Sequence, residues 1–259
     1  MSGTEIISLA VAAGAAGMIN AVAGGGTLIT FPALLFFGTP PLSANATSTL
    51  ALVFGTAGSV YGFRGQLATV KTWLRRFLPV SLLGGLVGGI LLTRTQEAVF
   101  ARMVPFLILF ATILFLAQGA FRRFAGFADK SGTTVTPHHR AVRAAILFQF
   151  CVAVYGGYFG AGIGILMLAT LGCLGLTDIH EMNAVKTVLS SIINQVAALY
   201  FIFAGLIDWP KALVMTAGAL AGYFLGAHYS QRIPQKRVRQ IIAGVGFLIS
   251  AVMFYKQFR

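Results

Sequence analysis

Three consecutive glycines, Gly24, Gly25 and Gly26, stand in the middle of the apolar run Ala21 to Pro41 (AVAGGGTLITFPALLFFGTPP). Glycine costs about 1 kcal/mol against alanine in a helix interior, so three together break a helix. A second apolar run, Tyr155 to Leu176, repeats the device with Gly160, Gly162 and Gly164. In lipid every unbonded backbone group costs several kcal/mol, so such a break survives only where it is buried in protein or lines a wet cavity. Two interrupted segments in matching halves are a pointer to a transporter binding site.

Composition makes lipid the solvent. The 259 residues are 57% hydrophobic and 10% charged, with mean hydropathy +0.84, where a soluble domain carries roughly 25% charge. An all-α, polytopic membrane protein is expected. The net charge of +13 would suggest nucleic acid for a soluble chain. Here it reads as cytoplasmic loops, with no nucleic-acid partner. The first apolar segment has no basic leader and only Glu5 near its start, so no cleavable signal is expected. Cys151 and Cys173 read as small core residues rather than a disulfide.

Apolar segments suited to a bilayer core of about 30 Å fall at 5–37 (broken at 24–26), 45–63, 74–93, 99–120, 141–174 (broken at 160–164), 182–204, 210–229 and 238–256. The only long polar stretch, 121–140, holds Ser131, Gly132 and Pro137 and reads as a flexible linker. The pair His138-His139 within it reads as solvated loop rather than metal ligand. The linker divides the chain into a first repeat, 1–120, and a second, 141–259. Ala23-Gly24-Gly25-Gly26 aligns with Phe159-Gly160-Ala161-Gly162. After a two-residue slip, Asn45-Ala46-Thr47-Ser48-Thr49 aligns with Asn183-Ala184-Val185-Lys186-Thr187. Further on, Lys71 matches Lys211, and Gly84 and Gly88 match Gly222 and Gly226.

If each broken segment enters and returns, Arg64, Lys71, Arg75, Arg76, Arg122, Arg123, Lys130, Arg140, Arg143, Arg232, Lys236, Arg237 and Arg239 share one side, 13 of the 19 basic residues. That side is cytoplasmic by the positive-inside rule. The two repeats are then inverted copies with both termini external, and Trp73 and Trp209 anchor matching helices at opposite faces. Eight simple crossings would split the charges 12 to 6.

Polar groups inside the spans are few. The segment 45–63 carries Asn45, Ser48, Thr49, Thr56 and Ser59, mostly on one helical face. The segment 182–204 carries Asn183, Lys186, Thr187, Ser190, Ser191, Asn194 and Gln195. Such a stripe serves either interhelical hydrogen bonds, about 0.6 kcal/mol each in membranes, or a polar site. Asn45 and Asn183 favour a site, since both sit beside the glycine breaks in sequence and match across the halves. Lys186, the one cation within a span, either snorkels, pairs with Asp178 or Glu181, or holds an anion. A broken helix exposes amides at the start of its second half, and these favour anions. Gly24, Gly25, Gly26 and Thr27 would offer them from one repeat, and Gly160, Ala161, Gly162 and Ile163 from the other. Enzyme patterns fail: His180-Glu181 begins HExxH, but Ala184 replaces the second histidine, and neither GxSxG nor a Walker A motif occurs.

The string AGGGTLITFPALLFFGTPPLSANATS and its weaker copy FGAGIGILMLATLGCLGLTDIHEMNAVKT resemble the TauE/SafE family of sulfite exporters over nearly the whole chain. The resemblance implies a secondary transporter of a small sulfur-containing or organic anion such as sulfite, thiosulfate or sulfoacetate. It would work by alternating access in the bacterial inner membrane, driven by a proton or sodium gradient and without a cofactor. A passive anion channel is the alternative. Gly24, Gly25, Gly26, Asn45, Thr47 and Ser48, with Gly160, Gly162, Asn183, Lys186 and Thr187, fall on the family's motif positions. Thr27, Thr49 and Ser190 join them as candidate substrate-binding residues. The second copy departs from the first by Ala161 between glycines, Leu168 in place of proline, and Lys186 where the first has Ser48.

Overall fold

The first glycine run separates α1 (Gly3–Val22) from α2 (Thr27–Phe36), and the second separates α6 (His139–Tyr158) from α7 (Ile163–Cys173). Both breaks fall on the glycine runs, but the second is shorter than the expected 160–164, because α7 already begins at Ile163 and contains Gly164. A computed structural model of the chain describes residues 1–22, 25–129, 139–174, 176, 178–229 and 235–258. Gly24 and residues 130–138 of the expected linker, His138 among them, lie outside the described residues. The remaining elements are α3 (Pro41–Gly62), a 3-10 turn at Arg64–Gln66, α4 (Lys71–Arg94), α5 (Glu97–Asp129), α8 (Ile179–Phe203), α9 (Trp209–Tyr229) and α10 (Gln235–Phe258). No strand occurs among the described residues. By length and composition, Gly3–Ala21, Lys71–Arg94, Glu97–Ala117 and His180–Phe203 can cross a membrane, so the chain is a multi-pass membrane protein.

Local chemistry explains the helix starts. Pro41 opens α3 at a position where its missing amide costs nothing. Asp178 caps α8, its Oδ1 accepting from the amides of His180 at 2.7 Å and Glu181 at 3.3 Å. Helix α1 has 20 residues, enough for about 30 Å, whereas α2 has 10 and α7 has 11, about half that length.

A cluster on Lys211 fixes the path of the first broken segment. Lys211 Nζ donates to Thr39 Oγ1 at 2.9 Å and pairs with Glu5 at 3.3 Å and Asp208 at 3.5 Å. Glu5 lies in the first turn of α1 and Thr39 just after α2, so the α1–α2 segment begins and ends at one end of the bundle. At that same end Leu42 N donates to Glu97 Oε1 at 3.1 Å, and the Thr95 and Tyr158 hydroxyls meet at 3.3 Å. Helices α4 and α6 therefore finish there, and α6 starts from the opposite end.

Glycines set the tightest helix pairs. Helices α1 and α9 run parallel, with Gly14 facing Gly222 and Gly218 facing Ala10; a Cβ on Gly222 would collide with the Gly14 carbonyl. Helices α4 and α6 pair the same way, with Gly88 against the Val154 carbonyl and Gly157 against that of Gly85. Small residues let membrane helices approach backbone to backbone, where dispersion replaces the missing hydrophobic drive. The matched pairs extend further: α3 packs on α9 as α8 packs on α4, α2 on α10 as α7 on α5, and α3 meets α8 and α5 meets α10 directly.

Two apolar clusters fill the interior. The larger joins α1, α2, α3, α5 and α9 around Phe31, Phe100 and Phe115. The smaller joins α4, α6, α7 and the start of α8 around Phe77, Met167 and Ile193. Cys151 and Cys173 correct the expectation of core cysteines: both are free thiols on the exposed perimeter of the bundle.

Candidate functional site

Helix α5 brings the two breaks together. Gly25, at φ 92°, lies against the Phe115 ring, which a Cβ would approach to 2.9 Å. Gly162, at φ 82°, caps α7 in the left-handed conformation and faces Leu114, 3.5 Å from its Cβ position. Leu114 and Phe115 are neighbours in sequence, so both breaks sit at one level of one helix. Phe31 of α2 adds an edge-to-face contact with Phe159 of the second break, 5.5 Å between centroids.

The two breaks are pinned differently. In the first, Asn20 Oδ1 accepts the Gly26 amide at 2.8 Å, and Asn20 Nδ2 donates to the Tyr223 hydroxyl at 2.7 Å. The Gly26 amide, expected to face an anion, is thus already engaged. In the second, the Tyr155 hydroxyl donates to the Ala161 carbonyl at 2.8 Å and the Gly160 amide to the Tyr155 carbonyl at 3.1 Å. Gly160 is left-handed too, at φ 81°. The Ala161, Gly162 and Ile163 amides have no acceptor among the described residues.

The asymmetry follows from a volume exchange between matched positions. Tyr223 lies over Gly55, where a Cβ would collide with its ring. In the other half the counterpart of Tyr223 is Gly85 and that of Gly55 is Ile193, while Gly156 stands in place of Asn20. Ile193 fills that space, its Cγ2 2.9 Å from the Cβ position of Gly156. One half therefore holds a hydrogen-bonded tyrosine and asparagine, the other a dry isoleucine.

The other expected residues fall into four groups. Asn45, buried on α3, reaches the second break, its Nδ2 donating to the Tyr158 carbonyl at 2.9 Å. Lys186 lies on the α7 side, its Nζ donating to Asn183 Oδ1 at 3.0 Å and its stem 3.1 Å from the Cβ position of Gly164. Ser190, one turn on, reaches Met167 Sδ at 3.4 Å. Three hydroxyls serve the scaffold: Ser48 pairs with Thr30 at 2.6 Å, Thr49 donates to the Asn45 carbonyl at 2.9 Å, and Thr47 accepts the Asp208 amide at 3.0 Å. Thr27 opens α2 and Thr187 follows Lys186 on α8, both half-buried.

Sequence reasoning missed Asn20, Tyr155, Tyr158 and Tyr223. Asn20 carried a weak signal, a lone amide six residues before Gly26 in an apolar run. Tyr223 carried none, since its partner is distant in the chain. No group of three or more histidine, cysteine or acidic residues gathers as a metal site among the described residues.

The family model for sulfite exporter TauE/SafE matches residues 9–253. A probable membrane transporter protein of Haemophilus influenzae is 31% identical, covering 98% of this chain and 97% of its own length. The probable membrane transporter protein YfcA of Escherichia coli is 26% identical over 93% of this chain and 85% of its own. The probable membrane transporter protein YunE of Bacillus subtilis is 25% identical over 99% and 98%. No solved structure matches significantly.

Proposed function

The chain belongs to the TauE/SafE sulfite exporter family of membrane proteins, and on that premise we propose that it is a secondary transporter moving a small sulfur-containing or organic anion across the bacterial inner membrane. Sulfite, thiosulfate and sulfoacetate are the candidate substrates, and alternating access is the mechanism. The observation that carries this reading is the meeting of two helix breaks on one turn of α5, Gly25 against Phe115 and Gly162 against Leu114. Discontinuous helices with their second-half N-termini at mid-membrane are a common transporter device for anions. The α7 start supplies amides, Lys186 a nearby charge, and Asn183 a polar flank, while Asn45 gives its Nδ2 to the Tyr158 carbonyl. The first break contributes less, because Asn20 already holds the Gly26 amide.

Matched packing supports the inverted-repeat reading: α1 with α9 as α6 with α4, and each half's broken segment against the other half's long helix. Each such pair joins elements from both repeats. Two blocks, α1–α9 and α4–α6, locked by glycine contacts, suit rocking about the breaks between them.

Reconstituted into proteoliposomes, the protein should accumulate labelled sulfite, thiosulfate or sulfoacetate against a gradient, saturably. A thermal-shift screen over the same anions identifies the substrate, since a ligand at 100 times its dissociation constant adds about 2.7 kcal/mol of stability. Linear flux without accumulation would establish a passive anion channel instead.

A further inference from the structure

One polar atom at the second break is unexplained by the anion. Asn45 is 1% exposed, and its Oδ1 is buried without a hydrogen-bond partner. Its Nδ2 is committed to the Tyr158 carbonyl at 2.9 Å, which fixes the amide orientation and leaves the oxygen as an orphaned acceptor. Burying an acceptor unpaired is costly, so a donor or a positive charge belongs there. A fully deprotonated sulfite, thiosulfate or sulfoacetate supplies neither.

A second amide oxygen converges on the same stretch. Asn194 Oδ1 lies 3.6 Å from the Cβ position of Gly160, and the Gly156 carbonyl lies 3.0 Å from that point. Asn194 makes no hydrogen bond among the described residues. Asn45, at Tyr158, and Asn194, at Gly160, flank the C-terminal end of α6, where the peptide dipoles leave partial negative charge. Neutral amide and carbonyl oxygens at a helix C-terminus and unwound backbone are the set that coordinates monovalent cations in membrane transporters.

We propose that the α6 end of the second break holds a sodium ion, with Asn45 Oδ1 and Asn194 Oδ1 as its side-chain ligands. The proposal rests on the transporter reading above and names the coupling ion of that site. The amides of α7 and the charge of Lys186 lie on the other side of the break. An anion bound between the α6 end and Lys186 is then attracted from both sides, and each ligand raises the affinity of the other reciprocally. The counterpart residues do not repeat the set: Asn183, matching Asn45, accepts from Lys186 at its Oδ1, and Thr56, matching Asn194, donates to the Val53 carbonyl.

The test is the melting temperature of the purified full chain in sodium, potassium and choline chloride at equal ionic strength, with no candidate substrate added. A saturable rise in sodium, smaller in potassium and absent in choline, is expected. Asn45→Ala and Asn194→Ala should each weaken the sodium response by about tenfold or more in concentration, 1.4 kcal/mol per decade. An equal response to all three salts overturns the site. A sodium response unchanged in either variant overturns its placement. If a variant does not fold, radioactive sodium binding to the wild-type chain decides, and absence of saturable binding overturns the proposal. Since no substrate anion is present, this outcome is separate from the anion screen, whose failure would sink the transport reading alone.

Discussion

The Tyr223 hydroxyl accepts a hydrogen bond from Asn20 Nδ2 at 2.7 Å, while the other end of the same amide holds the Gly26 N–H at 2.8 Å. A tyrosine of the second repeat thereby fixes the backbone of the break in the first. Tyr223→Phe keeps the ring over Gly55 and removes only the hydroxyl, so it should lower stability by about 1 kcal/mol. Asn20→Ala also strands the Gly26 amide and should cost about 1–3 kcal/mol. Thermal denaturation of the two variants checks the order; equal losses would mean that the amide of Gly26 is satisfied without Asn20.

Backbone contact between α1 and α9 leaves no room at Gly222, where any Cβ meets the Gly14 carbonyl. Gly222→Val should therefore abolish a monodisperse peak in size-exclusion chromatography. Gly58 on α3 has nothing within 4 Å of its Cβ position. Gly58→Ala should be neutral or stabilising by up to about 1 kcal/mol, the helix-propensity difference.

Lys186 brings charge to the second break but none to the first, where Ser48 is bonded to Thr30. Lys186→Met should keep the stem contact with Gly164 and lose a charge-assisted bond, weakening anion binding about tenfold or more. Lys186→Arg should retain part of the affinity, because charge survives while geometry changes. Calorimetric titration with the anion found in the screen measures both. Equal affinity for Met and wild type would return the site to the amides and asparagines.

Topology has a direct readout. The charge distribution predicts a cytoplasmic 121–140 linker and external termini. Both native cysteines are exposed, so they must first be replaced by alanine. Single cysteines at Ser131 and Gln257 should then differ in intact cells: an impermeant reagent labels the second only. Labelling at Ser131 would reject the inverted arrangement.

The sequence by itself determined the membrane environment, the helices and both breaks, because these depend on local quantities. Hydropathy sets burial in lipid, and closely spaced glycines mark where α1 gives way to α2 and α6 to α7. It also marked Asn45, whose amide does reach the opposite repeat. What only the tertiary structure decided are the pairings between distant positions. Tyr223 with Gly55 and Ile193 with Gly85 divide the same volume in opposite ways, and neither residue signals its partner in its own neighbourhood. The same holds for the donors at the breaks. A glycine amide looks equally available at every exposed helix start, but Asn20 closes the one at Gly26, and only packing across the two repeats brings Tyr223 to hold Asn20 there.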